Sequence, residues 1–99
     1  MKIKIEKIRR NTVLIKIEEE ELTKENREIY FRQGQNIGSN TYKKLKGKGK
    51  RIAHFLLRVD AIQNFRMYSR KIVAMIGVEF NLHEIIDKIK NKLQKMNTF

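Results

Sequence analysis

Residues 72–96 read IVAMIGVEFNLHEIIDKIKNKLQKM, and two incompatible periodicities stand back to back in them. From Ile72 to Phe80 the residues are β-branched and apolar. Ile72, Ala74, Ile76, Val78 and Phe80 fall on one side of an extended chain, and Val73 and Met75 on the other. That pattern predicts a central strand near 71–80 covered on both faces, with Gly77 marking a bulge or a close approach. From Asn81 the period changes: Leu82, Ile85, Ile86, Ile89, Leu93 and Met96 recur at helical spacing, and Asn81 with Glu84 three residues later has the form of a capping box. A helix over 82–96 follows, its Lys88, Lys90, Lys92 and Lys95 off the apolar stripe.

Strand followed by helix at this end is matched by strands at the other. Ile3 and Ile5 alternate with Lys2, Lys4 and Glu6, which predicts a strand over 2–8; Val13, Ile15 and Ile17 then alternate with Lys16 and Glu18. The short polar connection Arg9 to Thr12 predicts an antiparallel hairpin. Ile8 and Leu14 break the alternation, so either a bulge or a second covered face is expected there. The fold class is therefore α+β: a small antiparallel sheet, made of this hairpin and the strand near 71–80, covered by amphipathic helices. At 99 residues the whole chain, 1–99, reads as a single domain.

The middle is less decisive. Thr23 is placed to cap a helix over about 24–33, but Ile29, Tyr30 and Phe31 in a row fit a short strand equally well. Gly34 would stop it in a left-handed conformation, and residues 34–50 read mostly as loop, with one helical turn near Tyr42 to Leu45. Beyond Ile52, a stripe of Phe55, Leu56, Val59, Ile62 and Phe65 predicts a second amphipathic helix. A strand with Ala53, Phe55, Leu57 and Val59 on one face competes over a shorter window.

Charge carries the functional information. The chain has 23 Lys or Arg and 11 Asp or Glu, a net charge of +12, and residues 32–71 alone hold 11 basic and 1 acidic side chain. Such a block attracts polyanions, which makes nucleic acid, DNA or RNA, the first expected partner and an acidic protein the second. Its centre is Lys43, Lys44, Lys46, Lys48, Lys50 and Arg51, spaced by Gly47 and Gly49. Read as a flexible loop, it would let backbone amides and lysines meet phosphates; the plainer alternative is a solvated loop that aids solubility. Arg58, Arg66, Tyr68, Arg70 and Lys71 extend the candidate nucleic-acid-binding set, with Tyr42, Phe65 and Tyr68 as nearby aromatic faces. Phe65 sits on the apolar stripe and reads as core; Tyr30 and Phe31 read as core or interface residues rather than base-stacking platforms. The run Glu18 to Glu21 reads as a solvated face that also shields the chain from its own basic segment.

Other classes find less support. The chain has no Cys, so zinc knuckles, disulfide frameworks and thiol nucleophiles are excluded. The two histidines have no local ligand set: His83 and Asp87 share a helix face with no third partner, and His54 stands apart, so neither a metal nor a cofactor is expected. Gly47-Lys48-Gly49 is no phosphate-binding P-loop, lacking the spacing and the preceding strand. A small basic ribonuclease, with His54, Arg58, Arg66 and Tyr68 as acid and base groups, is a third class without a defining spacing. No stretch is apolar enough to span a bilayer and no signal segment is seen, so a soluble, intracellular protein without catalysis is expected, either binding nucleic acid or modulating a protein. An exposed sheet edge would make a homodimer one means of covering it.

The Lys, Ile and Glu-rich usage of Lys2 to Glu21 and of the Lys-rich tail, with no Cys, resembles that of small proteins of unknown function from viruses of thermophilic archaea; AT-rich bacterial mobile elements have similar usage. The first resemblance implies a thermostable viral accessory protein in a host cytoplasm and carries over no site residue.

Overall fold

A computed structural model describes residues 2–35 and 38–96. Eight elements follow in the order β1 (Ile3–Arg9), β2 (Thr12–Ile17), β3 (Ile29–Arg32), α1 (Ser39–Lys43), α2 (Gly47–Leu56), β4 (Ile62–Met67), β5 (Lys71–Ile76) and α3 (Leu82–Met96). The strands form one antiparallel sheet in the order β1-β2-β5-β4-β3. The α+β class, the N-terminal hairpin and the C-terminal helix are thus as the sequence implies. Asn81 caps α3 by accepting a hydrogen bond from the Glu84 backbone N–H at 3.2 Å.

Alternation settles which face is buried. Val13, Ile15 and Ile17 of β2, Ile72, Ala74 and Ile76 of β5, Phe65 and Met67 of β4, and Ile29 and Phe31 of β3 all point to one side, and each is buried. Ile52, Ala53 and Leu56 of α2 and Ile89 and Leu93 of α3 close over them in a single cluster. Phe31 stacks on Phe65 with ring centroids 4.8 Å apart, so Phe65 is core, as read from its stripe. The helices cover this face only.

One-sided cover corrects the reading of 71–80 as a strand with both faces buried. β5 does lie in the centre of the sheet, but Met75 is exposed and Val73 half-buried. The strand also stops at Ile76. Gly77 donates to the Ala61 carbonyl at 2.8 Å and Phe80 to that of Gly77 at 3.2 Å, which turns the chain toward α3 and leaves Val78 76% exposed.

Bulges account for two further departures. In β1 the register slips between Lys7 and Arg9, so Ile8 is the extra residue and lies exposed, one of the two outcomes expected of it. In β4 it slips between Ile62 and Asn64, which puts Ile62, Phe65 and Met67 on the buried side. Three-residue spacing within a strand imitates a helix. That is why Phe55, Leu56, Val59, Ile62 and Phe65 read as one helical stripe, although α2 ends at Leu56 and Ile62 and Phe65 belong to β4.

The predicted helix over 24–33 is replaced by β3, where Ile29 and Phe31 are buried and Tyr30 and Arg32 exposed. Thr23 caps nothing: its hydroxyl donates to the Glu25 carbonyl at 2.6 Å while its backbone bridges Leu45. Gly34 has φ +80°, in the left-handed region as expected, but it follows a strand rather than a helix.

The largest correction concerns 34–50. Apart from residues 36 and 37, which lie outside the described residues, this segment is largely helical: α1 and the first turn of α2 occupy it. Glycines and lysines at a helix start oppose both propensity and dipole, so the pattern reads as loop. Tertiary contact overrides it. Leu22, wholly buried, accepts a hydrogen bond from the Lys46 N–H at 2.9 Å and donates to the Ser69 carbonyl at 2.6 Å. Gly49 packs directly on the Leu22 backbone, where a Cβ would overlap the carbonyl oxygen. Gly49 therefore serves helix packing, not loop flexibility.

Gly49→Ala should lower stability by about 1–3 kcal/mol through that overlap. Gly47→Ala, with open space around the added methyl, should be neutral or stabilising by up to about 1 kcal/mol. Urea unfolding of both variants checks the contrast, and equal effects would contradict this packing.

Candidate nucleic-acid interface

The sheet face away from the helices is open to solvent, and register aligns its side chains in rows. Lys4, Lys16 and Lys71 are direct neighbours on β1, β2 and β5. Glu6, Leu14, Val73, Arg66 and Tyr30 form a second row across all five strands. Thr12, Met75, Asn64 and Arg32 form a third, with Arg9 beside Thr12. Like charges on adjacent strands repel, so the lysine row is held at a cost that a bound anion would relieve. Among the described residues, only Lys4 of this row has a counter-ion, Glu18 at 3.7 Å.

Five large apolar side chains are exposed among the described residues, and three of them, Ile8, Tyr30 and Met75, line one depression of ≈ 340 Å³ on this face. Arg9 and Arg66 flank it. The Arg66 guanidinium lies 5.6 Å from the Tyr30 ring centroid, as expected of a directly opposed cross-strand pair. A second concavity, lined by Lys16, Glu18, Asn26, Tyr68, Ser69, Arg70 and Lys71, lies at the end of the lysine row. There the Lys71 ammonium sits 4.9 Å from the Tyr68 ring centroid.

Glu28 links the two sites. It accepts a hydrogen bond from the Tyr68 hydroxyl at 3.1 Å and pairs with Arg66 Nε at 3.1 Å. Partial removal from water, then the hydrogen bond to Glu28 and its charge, raise the Tyr68 phenol above the ordinary tyrosine range. Arg70 is held at the edge, donating to the Glu18 carbonyl at 2.7 Å, with Glu21 at 3.8 Å.

The residues singled out in the sequence do not form one site. Arg66, Tyr68, Arg70 and Lys71 converge on the open face or its rim. Lys43, Lys44, Lys46, Lys48, Lys50, Arg51 and Arg58 belong to α1, α2 and the turns around them. Two of these lysines are engaged internally: Lys46 binds Glu21 at 2.7 Å and Lys48 lies 3.9 Å from Glu20. The acidic run therefore shields the basic segment by direct pairing. Tyr42 packs half-buried against the core. Of the two residues read as core or interface, Phe31 is buried, whereas Tyr30 is not core: it is 48% exposed at the centre of the site. Arg9, Lys16, Arg32 and Met75 also lie on this face, and no motif in the sequence marks them as site residues. Treating Ile29 to Arg32 as an alternating strand would have revealed Tyr30 and Arg32.

His54 and Arg58 lie on the helical side, Arg66 and Tyr68 on the open face, so the residues cast for a ribonuclease are not brought together. Among the described residues no three His, Asp or Glu side chains cluster as metal ligands, and no helix is long and apolar enough to cross a membrane. Compared with protein-family models, curated proteins and solved structures, the chain matches none.

Two titrations test these contacts. In Glu28→Gln the Tyr68 pKa should fall toward the ordinary tyrosine range, because the negative charge leaves and a neutral amide oxygen accepts the phenol hydrogen bond more weakly, while partial desolvation stays; tyrosinate absorbance against pH reads it among only three tyrosines. Glu21 ionises below the ordinary carboxylate range, chiefly through the hydrogen bond and charge of Lys46. Stability from a lowered carboxylate is present above its unfolded pKa and lost as pH falls through the folded one. The margin of the native protein over Lys46→Met should therefore be fullest near neutrality and vanish in acid, as measured by urea midpoints across pH.

Proposed function

We propose that the protein binds single-stranded nucleic acid, without catalysis, across the open face of its sheet. The observation that carries this reading is the placement, on one solvent-facing surface, of Tyr30 and Tyr68, each with a cation against its ring, beside the Lys4, Lys16 and Lys71 row. Single strands are held by such a combination: bases stack on aromatic faces and phosphates follow a line of positive charge. Ile8 and Met75 would give an unstacked base an apolar floor, with Arg9 and Arg66 beside it and Arg32 next to Asn64 on the adjoining strand. Duplex fits less well, because paired bases offer no free face to tyrosine and this surface presents no helix to a groove.

Glu28 supports the reading in a further way. It pre-sets Arg66 and Tyr68 through the two contacts described and so reduces the ordering needed on binding. Ile8, Val73 and Met75 are aliphatic, which favours a second reading, docking of a protein on the same face.

Titration of labelled single-stranded DNA, single-stranded RNA and duplex over salt separates them. Single strands should bind more tightly than duplex. Tyr30→Ala should weaken binding by about 1–3 kcal/mol, the value of one base stack. Lys16→Gln and Lys71→Gln should each reduce the salt slope by about 0.7. No binding at about 50 mM salt, or affinity indifferent to all three substitutions, would remove the nucleic-acid reading and leave the protein-docking one.

A further inference from the structure

We infer that the groove between α2 and α3, on the helical side of the molecule, docks an acidic amphipathic segment of a partner protein. The site goes beyond the sheet-face reading. Arg51 and His54 of α2, Arg58 in the turn that ends α2, and Lys92 of α3 surround a floor made by Phe55 and Met96, enclosing ≈ 570 Å³. The four basic residues are exposed and the two apolar ones half-buried.

Charge bookkeeping distinguishes this groove from the other basic surfaces. Every ion pair among the described residues draws its carboxylate from Glu18 to Glu28: Lys4 with Glu18, Lys48 with Glu20, Lys46 and Arg70 with Glu21, Arg27 with Glu25, Arg66 with Glu28. That connection lies against the start of α2 and the β4–β5 turn. None of the four basic residues of the groove has an ion pair among the described residues, so none of these residues neutralises its charge at contact distance.

An apolar floor with a basic rim selects the chemistry of the occupant. An aliphatic or aromatic side chain would seat on Phe55 and Met96, while carboxylates a turn away on the same segment would reach Arg51, Arg58 and Lys92; this is the groove mode of peptide recognition. Arg suits such a rim, since its planar fork grips a carboxylate through two hydrogen bonds. A nucleic-acid backbone would use the rim and leave the floor empty, and the groove has no exposed tyrosine on which a base could stack. The acidic peptide uses both parts.

The test uses the full-length protein and three probes: a short helix-forming peptide with Leu flanked by Glu one turn to either side, its Glu→Gln counterpart, and oligothymidylate. Only two histidines exist, so the His54 imidazole resonance reports the groove directly. The acidic peptide should shift it, and Arg51→Ala with Arg58→Ala should weaken that binding about tenfold. Circular dichroism verifies that these exposed substitutions leave the fold intact. Tyr30→Ala should leave the peptide affinity unchanged, which keeps the outcome separate from that of the sheet face. The inference is overturned if His54 does not respond to the acidic peptide at about 1 mM, the weakest contact worth the name. It is equally overturned if the Gln peptide binds as well, or if oligothymidylate moves His54 and the peptide does not.

Discussion

Packing of one sheet face against α2 and α3 is the interaction on which the remaining features depend. Fully buried Val, Ile, Leu and Phe side chains each contribute about 1.5–3 kcal/mol relative to exposure, and this face gathers most of the chain's large apolar residues. The three helices among the described residues, one of them only five residues long, pack on one face of the sheet. The opposite side of every strand is consequently left to water. Register then decides which side chains meet there, and it brings together residues far apart in the chain, Lys4 with Lys71 and Tyr30 with Arg66.

A second dependence runs through the connection from β2 to β3. Its Leu22 enters the core, its backbone holds the start of α2, and its glutamates neutralise lysines that would otherwise oppose the α2 dipole. One irregular segment thus supplies an apolar anchor, a helix support and the counter-charge. The basic segment after Lys43 folds because of it. Net charge is in this way redistributed: the densest cluster in the sequence is partly engaged in structure through Lys46 and Lys48, while on the sheet face Lys4, Arg66 and Arg70 have carboxylate partners and Lys16 and Lys71 have none among the described residues.

The elements legible in the sequence are those whose periodicity comes from a single face of a single element. β2 alternates cleanly and α3 has a regular stripe with its own cap. Where the period is interrupted the reading fails for identifiable reasons: the β4 bulge spaces Ile62 and Phe65 as a helix would, and α2 begins on glycines whose requirement lies in the Leu22 carbonyl rather than in local propensity. Arg66, Tyr68, Arg70 and Lys71 were legible as part of a site because a dense charge block includes them. Tyr30 was not, since its exposure follows only from its strand phase. Cross-strand neighbours such as Lys4 and Lys16 were beyond the reach of a linear reading.

The β2–β5 ladder joins Leu14 to Val73 across more than half the chain, whereas β1–β2 and β4–β5 close through short turns. Loop-closure entropy favours the two hairpins early and sets their lateral docking as the slow event of folding. Until that docking occurs, each hairpin carries an unpaired inner edge of alternating Val and Ile, the kind of surface that pairs with other chains. Three lysine-bearing positions, Lys4, Lys16 and Lys71, lie on the two hairpins as they approach. The charge that marks the finished surface thus also keeps incompletely folded copies apart, at some expense to the rate at which one copy closes on itself.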